Sequence, residues 1–167
     1  MSVQIEFGDL WTYDATETQK RRPLSSLPES GAGHIHGRLT ITVNSRKLPY
    51  LGYFGPDDVC FNEWLKELHF AKKTLTSDDP SKYIYDEGEQ GQPAFLFERK
   101  GDRLFLSIID SEMSGAPGDD GWKNEEVGLS EFTFAVSKFE ESFQHEVLAQ
   151  NRRAAHNWLS NVIGQRA

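Results

Sequence analysis

Residues 34–43 read HIHGRLTITV, and their alternation decides the fold class. Ile35, Leu39, Ile41 and Val43 share one parity; His34, His36, Arg38, Thr40 and Thr42 share the other. Successive side chains of an extended chain point to opposite faces, so this is a strand with one apolar and one wet face. Asn44-Ser45 supplies turn chemistry. Leu48 to Phe54 reads as a returning strand, which predicts a hairpin over 34–54. Gly52 within it marks a bulge or a close backbone approach.

Upstream, Val3, Ile5 and Phe7 alternate with polar neighbours and form a first strand. Gly8-Asp9 interrupts it, and Leu10, Trp11 and Tyr13 extend it after a bend. Residues 14–33, with Pro23, Pro28, Gly31 and Gly33, read as a long polar loop. Downstream, Gly55-Pro56-Asp57-Asp58 is a helix-start signal, because an aspartate caps free N–H groups of a first turn. Phe61, Trp64, Leu65, Leu68 and Leu75 then recur at the helical period, with Glu63, Lys66, Glu67, Lys72 and Lys73 facing outward. This predicts a helix over about 57–76.

Tyr83 to Tyr85 suits a short edge strand. Ala94–Arg99 and Arg103–Asp110 are strand-like around Lys100-Gly101-Asp102, the best hairpin signal in the chain. Residues 111–126, SEMSGAPGDDGWKNEE, form an acidic glycine-rich loop. Val127 to Val136 resumes strand alternation. Ser137 and Glu140 make a capping box, and a helix over about 138–163 follows, with Phe139, Phe143, Val147, Ala154, Trp158 and Val162 on its apolar stripe. The expected architecture is therefore α+β, a mainly antiparallel sheet packed against two amphipathic helices. One domain over 1–167 is expected from the length and from the lack of a linker or internal repeat.

The chain has a formal net charge of -8. Residues 84–131 concentrate it, with 12 acids against 4 bases. Such a field repels nucleic acid and attracts basic partners. No apolar run approaches the roughly 20 residues of a membrane span. The start MSVQIEFGDLW lacks a basic stretch and a small-residue cleavage site, so no secretory signal peptide is expected. With a single cysteine, Cys60, the cytoplasm is the expected compartment.

Chemistry is sparse in this sequence. His34 and His36, two apart on one strand face, are candidate metal ligands that need a third nitrogen, sulfur or carboxylate. The plainer alternative is a solvated strand face. Cys60 falls in the first turn of the first helix, where the dipole lowers a thiol pKa, yet its neighbours Phe61 and Trp64 favour a buried structural role. Asp110, Glu112, Asp119, Asp120, Glu125 and Glu126 crowd the end of a strand and the loop after it. They suit a cation or acid/base work, or simply a hydrated surface. Trp122, inside this most polar loop, either anchors the loop within the domain or stands out to meet a partner. No nucleophile elbow, P-loop, dinucleotide fingerprint or RNA-binding aromatic pattern is present. No catalytic residue and no cofactor is assigned.

The order of elements resembles small bacterial proteins of the immunity type found in polymorphic toxin systems. The likeness runs over residues 34–163. It comprises the GHIHGRLTITVN hairpin, the helix after Asp57-Asp58 carrying Phe61, Trp64 and Leu68, the paired strands of 94–110, and VSKFEESFQHEVL opening the last helix. The resemblance implies a stoichiometric inhibitor without catalytic function, and it assigns no functional residue. The leading expectation is a non-enzymatic protein that binds a basic partner, such as a toxin, through Asp110, Glu112, Asp119, Asp120, Trp122, Glu125 and Glu126. The alternatives are a metal-dependent or hydrolytic enzyme using loop carboxylates, and a homo-oligomeric protein with Trp158 and the C-terminal helix at a homodimer contact.

Overall fold

The strand read from residues 34–43 is the hub of the first of two sheets. A computed structural model of the chain describes residues 2–14, 16–17, 20–78, 82–88 and 91–164. Strand β1 (Val3–Tyr13) lies antiparallel to β3 (Ile35–Val43), and β2 (Arg21–Arg22) extends the outer edge of β1. On the other side of β3, β4 (Arg46–Lys47) pairs with its far end and β5 (Val59–Cys60) with its near end. Along β3 burial alternates residue by residue, with Ile35 and Leu39 fully buried.

The bend expected at Gly8-Asp9 is a bulge, where the register slips between Gly8 and Trp11 and Asp9 has φ 53°. Its inner side leaves no space for a side chain on the neighbouring strand. A Cβ on Gly37 would stand 2.7 Å from the Gly8 carbonyl oxygen and 2.9 Å from Leu10 Cδ2.

The expected hairpin of 34–54 needs correction. Its return strand lasts only two residues. Residues 48–58 are irregular, held down by the buried Leu48 and Leu51 and by the Trp64 indole, whose Nε1 donates to the Leu51 carbonyl at 2.6 Å. The stretch PYLGYFGP over 49–56 holds two prolines and two glycines, a turn composition that outweighs its aromatic content.

The second sheet is also antiparallel, in the order β6 (Lys82–Tyr85), β7 (Ala94–Lys100), β8 (Arg103–Ile109), β9 (Glu125–Gly128). Its central hairpin turns at Gly101-Asp102, as expected. Both sheets and three helices share one contiguous apolar cluster, in which Ile41 and Val43 of the first sheet and Leu104 and Leu106 of the second belong to the same core.

The helices depart most from expectation. Helix α1 (Phe61–Leu75) begins at Phe61 with Cys60 as its N-cap residue, so neither Asp57 nor Asp58 caps it. Glu67, expected outside, is buried and accepts from the Tyr83 hydroxyl at 2.6 Å. Helix α2 (Leu129–Gln150) starts well before residue 138. The apparent strand of 127–136 stops at Gly128, because Phe132, Ala135, Val136, Phe139, Phe143 and Val147 form one buried helical face while Phe134 is 70% exposed. Glu131 takes the capping role, its Oε2 accepting from the Gly128 N–H at 3.2 Å. Glu140 is instead buried against α1, where it meets His69 Nδ1 at 2.8 Å and the Lys72 ammonium. The helix then breaks at Asn151, whose Oδ1 caps α3 (Arg152–Ile163) through the Ala154 N–H.

Helix α3 fixes the segment 25–33. Side-chain amides of Asn151, Asn157 and Asn161 donate to carbonyls of Ser25, Glu29 and Ser30. Trp158 is fully buried, meets Phe143 at a tilt with centroids 5.9 Å apart and donates to the Gly33 carbonyl at 3.2 Å. It belongs to the core of its own domain and offers nothing to a subunit contact. Among the described residues no helix is long and apolar enough to cross a membrane.

Phe143, fully buried between Phe7, Phe61 and Trp158, should lose about 3–5 kcal/mol of stability on Phe143→Ala. Phe134→Ser on the exposed face of the same helix should stay within about 0.5 kcal/mol. Urea denaturation of both variants checks this pair.

Candidate functional site

The wet parity of β3 carries the two histidines, and the sheet register adds the cysteine. His36 pairs directly across from Cys60 of β5. Side chains of such a pair project from the same face, and His34, two residues before His36, projects beside them. A ring nitrogen of His34, one of His36 and Cys60 Sγ all lie within 4.8 Å of one another. Cys60 Sγ is 3.9 Å from His34 Nδ1.

The supports of this trio are built into the backbone. Thr12 Oγ1 donates to the His34 carbonyl at 2.9 Å. Asn62 at the start of α1 accepts from the Ile35 N–H at 2.9 Å and donates to the Gly33 carbonyl at 3.0 Å. His34 is therefore fixed on both sides although its ring is exposed. His36 stacks on Trp11 at 4.8 Å, and its Nδ1 lies 2.8 Å from Asp58 Oδ1. Arg21 lies over Trp11 at 4.2 Å and reaches Asp58 at 3.9 Å. Asp58, expected as a helix cap, is thus the orienting carboxylate of a histidine.

Burial and charge set the protonation here. Burial lowers the His36 pKa, with the Asp58 hydrogen bond opposing it. A neutral His36 donates from Nδ1 to Asp58, which leaves Nε2 as the lone-pair nitrogen. That Nε2 is buried and has no hydrogen-bond partner among the described residues. Burial pushes the Cys60 thiol up to about 11, with the carboxylates of Glu63 and Glu87 adding to the rise. Desolvation thus overrides the dipole effect expected from the helix start.

The trio lies at the side of a recess of about 500 Å³ whose other walls include Glu63, Lys66, Glu67, Tyr83, Tyr85 and Glu87. Lys66 meets Glu63 at 2.5 Å, and the Tyr85 hydroxyl donates to Glu87 at 3.1 Å. Burial, then Glu87, holds the Tyr85 hydroxyl well above the usual tyrosine range. The irregular segment 48–58 forms the rim of an adjoining hollow, which shares His36, Cys60, Glu63, Tyr85 and Glu87 with this recess. Tyr50, Tyr53 and Phe54 are 46%, 59% and 73% exposed, and Tyr53 meets Phe54 edge-on at 4.8 Å. Gly52 permits the tight turn, since a Cβ there would stand 2.8 Å from the carbonyl oxygens of Asp58 and Gly55. Gln92 donates to the Tyr50 carbonyl at 3.0 Å, Ser114 Oγ to the Gln92 carbonyl at 3.0 Å, and Ser111 Oγ to Asp86 at 2.7 Å. Three loops therefore converge at one edge of the molecule.

The acidic loop of 111–126 has a different character from the expected binding surface. Trp122 is 5% exposed and lies under the Arg46 guanidinium at 4.2 Å, so it anchors the loop within the domain. Arg46 also reaches Glu125 at 2.9 Å and the Gly121 carbonyl at 2.6 Å. Glu126 meets Arg103 at 2.5 Å. Asp119 accepts from the Gly121 N–H and Asp110 from the Gly118 N–H. Asp120 is exposed on this loop, and Glu112 is exposed beside Asp86, which accepts from its N–H at 3.0 Å. The structure joins Asp110 and Glu112 to the converging loops and places Asp119, Trp122, Glu125 and Glu126 in the clasp between the two sheets.

The meeting of Cys60 and Asp58 with His36 was not readable from local sequence, because it depends on the β3–β5 pairing and on the path of residues 48–58. The exposed rim was signalled by its prolines and glycines. Compared with protein-family models, curated proteins and solved structures, the chain matches none.

Arg46 joins the clasp by stacking and by directed donation, which a lysine cannot reproduce. Arg46→Ala should destabilise the fold by about 1–2 kcal/mol, and Arg46→Lys should recover less than half of that. Chemical denaturation of the two variants measures the difference.

Proposed function

We propose that this chain is a non-enzymatic binding protein of the stoichiometric-inhibitor kind, and that it docks a basic protein on the edge where the three loops converge. The observation that carries this reading is the exposed aromatic group Tyr50, Tyr53 and Phe54 set among carboxylates. Large aromatic side chains left in water are costly unless a partner covers them, and tyrosine is enriched at the energetic centres of interfaces. Glu63 and Glu87 line the hollow behind the rim, and Asp57, Asp86 and Glu112 lie on the loops that converge there. Such a surround steers and selects a positively charged partner. The immunity-type resemblance supports the same class and makes the partner a basic toxin. The cytoplasm is the compartment that fits this role and the single free thiol.

This docking edge keeps the basic partner expected from the charge and moves its contact from Trp122 to Tyr53 and Phe54. The test is site-specific capture. A photo-crosslinking residue in place of Phe54, in the full chain, should trap a basic protein in lysate of the source cells, and the yield should fall steeply as salt is raised. Placed at Asp120, on the clasped loop, it should not. Tyr53→Ala and Phe54→Ala should each weaken binding of the trapped protein by about 30-fold or more. Equal capture from both positions, or binding unchanged in both alanine variants, would overturn this assignment.

A further inference from the structure

We propose that His34, His36 and Cys60 form a zinc site, with Asp58 as the carboxylate that orients His36. The donor set selects the ion: two imidazoles and a thiolate suit a borderline-soft divalent cation, whereas magnesium and calcium take oxygen ligands. The geometry is close to ligation. A tetrahedral zinc with bonds of roughly 2.0–2.3 Å holds its ligand atoms roughly 3.3–3.6 Å apart. Cys60 Sγ and His34 Nδ1 are 3.9 Å apart, and all three donors lie within 4.8 Å. Small side-chain rotations close that gap, because the backbone of each ligand is already held by the β3–β5 pairing, Thr12 and Asn62.

Two further observations point to a cation. The first is the orphaned His36 Nε2, a buried acceptor that no group among the described residues satisfies. Buried polar atoms are rarely left so, and a metal is the partner that a lone-pair nitrogen beside a thiol accepts. The second is the 2.8 Å contact of His36 Nδ1 with Asp58, the arrangement in which a carboxylate fixes the tautomer and raises the basicity of a metal-bound histidine. Binding would remove the proton from Cys60, transferring it to solvent as the sulfur–metal bond forms. Three protein ligands leave the fourth position to water or to a carboxylate of the recess, where Glu63 and Glu87 stand near enough to bear on the Cys60 thiol. This site adjoins the docking rim, since His36, Cys60 and Asp58 line the same small hollow as Tyr53 and Phe54, and its zinc uptake is read without any partner protein present.

The reduced full chain, freed of metal by chelation, should bind a single zinc ion when titrated against a chromogenic chelator. His34→Ala and Cys60→Ser should each weaken zinc binding at least 100-fold, and Asp58→Asn about 10–100-fold. Cobalt(II) should give a sulfur-to-metal charge-transfer band that disappears in Cys60→Ser. Far-ultraviolet circular dichroism of each variant separates lost ligation from lost fold, and His34 is exposed enough for its alanine variant to keep the fold. No zinc uptake by the wild-type chain, or uptake that folded His34→Ala and Cys60→Ser variants retain, overturns the proposal.

Discussion

The alternation of β3 is the constraint on which the rest depends. One parity, from Ile35 to Val43, is buried and joins the core that α1 and the second sheet share. The other parity carries His34 and His36 away from that core. A slip of one residue would exchange the two sets, so the burial of Ile35 and Leu39 fixes where the histidines face. Gly37 secures the register from the opposite edge, because only a residue without a side chain fits against the β1 bulge. The two-residue pairing with β5 then brings Cys60 opposite His36 and starts α1 in the same step.

Charge is distributed by the same economy of position. The excess of acid at 84–131 looks from composition like one surface, but the fold divides it. Glu125 is held by Arg46 and with Trp122 joins the two sheets, while Glu126 is held by Arg103 within the second sheet and Asp119 by the Gly121 N–H of its own loop. Buried Glu140 ties α1 to α2. Glu63, paired with Lys66, Asp86, which accepts from Ser111, and Glu87, which accepts from Tyr85, lie around the recess, and Glu112 lies beside Asp86. A carboxylate held by an arginine stabilises the fold modestly and contributes little to long-range attraction.

Much of the fold was legible because periodicity reports burial. The alternation of 35–43 and the hairpin at Gly101-Asp102 needed nothing beyond local pattern. The start of α2 was obscured because Phe132, Phe134 and Val136 satisfy a period of two as well as part of a period of 3.6. Only tertiary packing shows that Phe134 faces solvent. The break at Asn151 was hidden inside a continuous apolar stripe. For the site, the His34–His36 spacing was visible, and the third donor was not. Cys60 lies 24 residues beyond His36 in sequence, and their meeting depends on a two-residue pairing across an irregular loop. Asp58 read as a cap because local chemistry favours that role, whereas the nearer partner was an imidazole from another strand.

The central claim is that the outer parity of β3 and the short strand β5 together build a metal-binding centre. Crystals of the reduced chain grown with stoichiometric zinc, with anomalous differences recorded on both sides of the zinc absorption edge, test it most directly. The expected result is a single peak bonded to His34, to Cys60 Sγ and to His36 Nε2, with Asp58 still on His36 Nδ1. A map with no peak at this trio, or with zinc bound only at other residues, would contradict it.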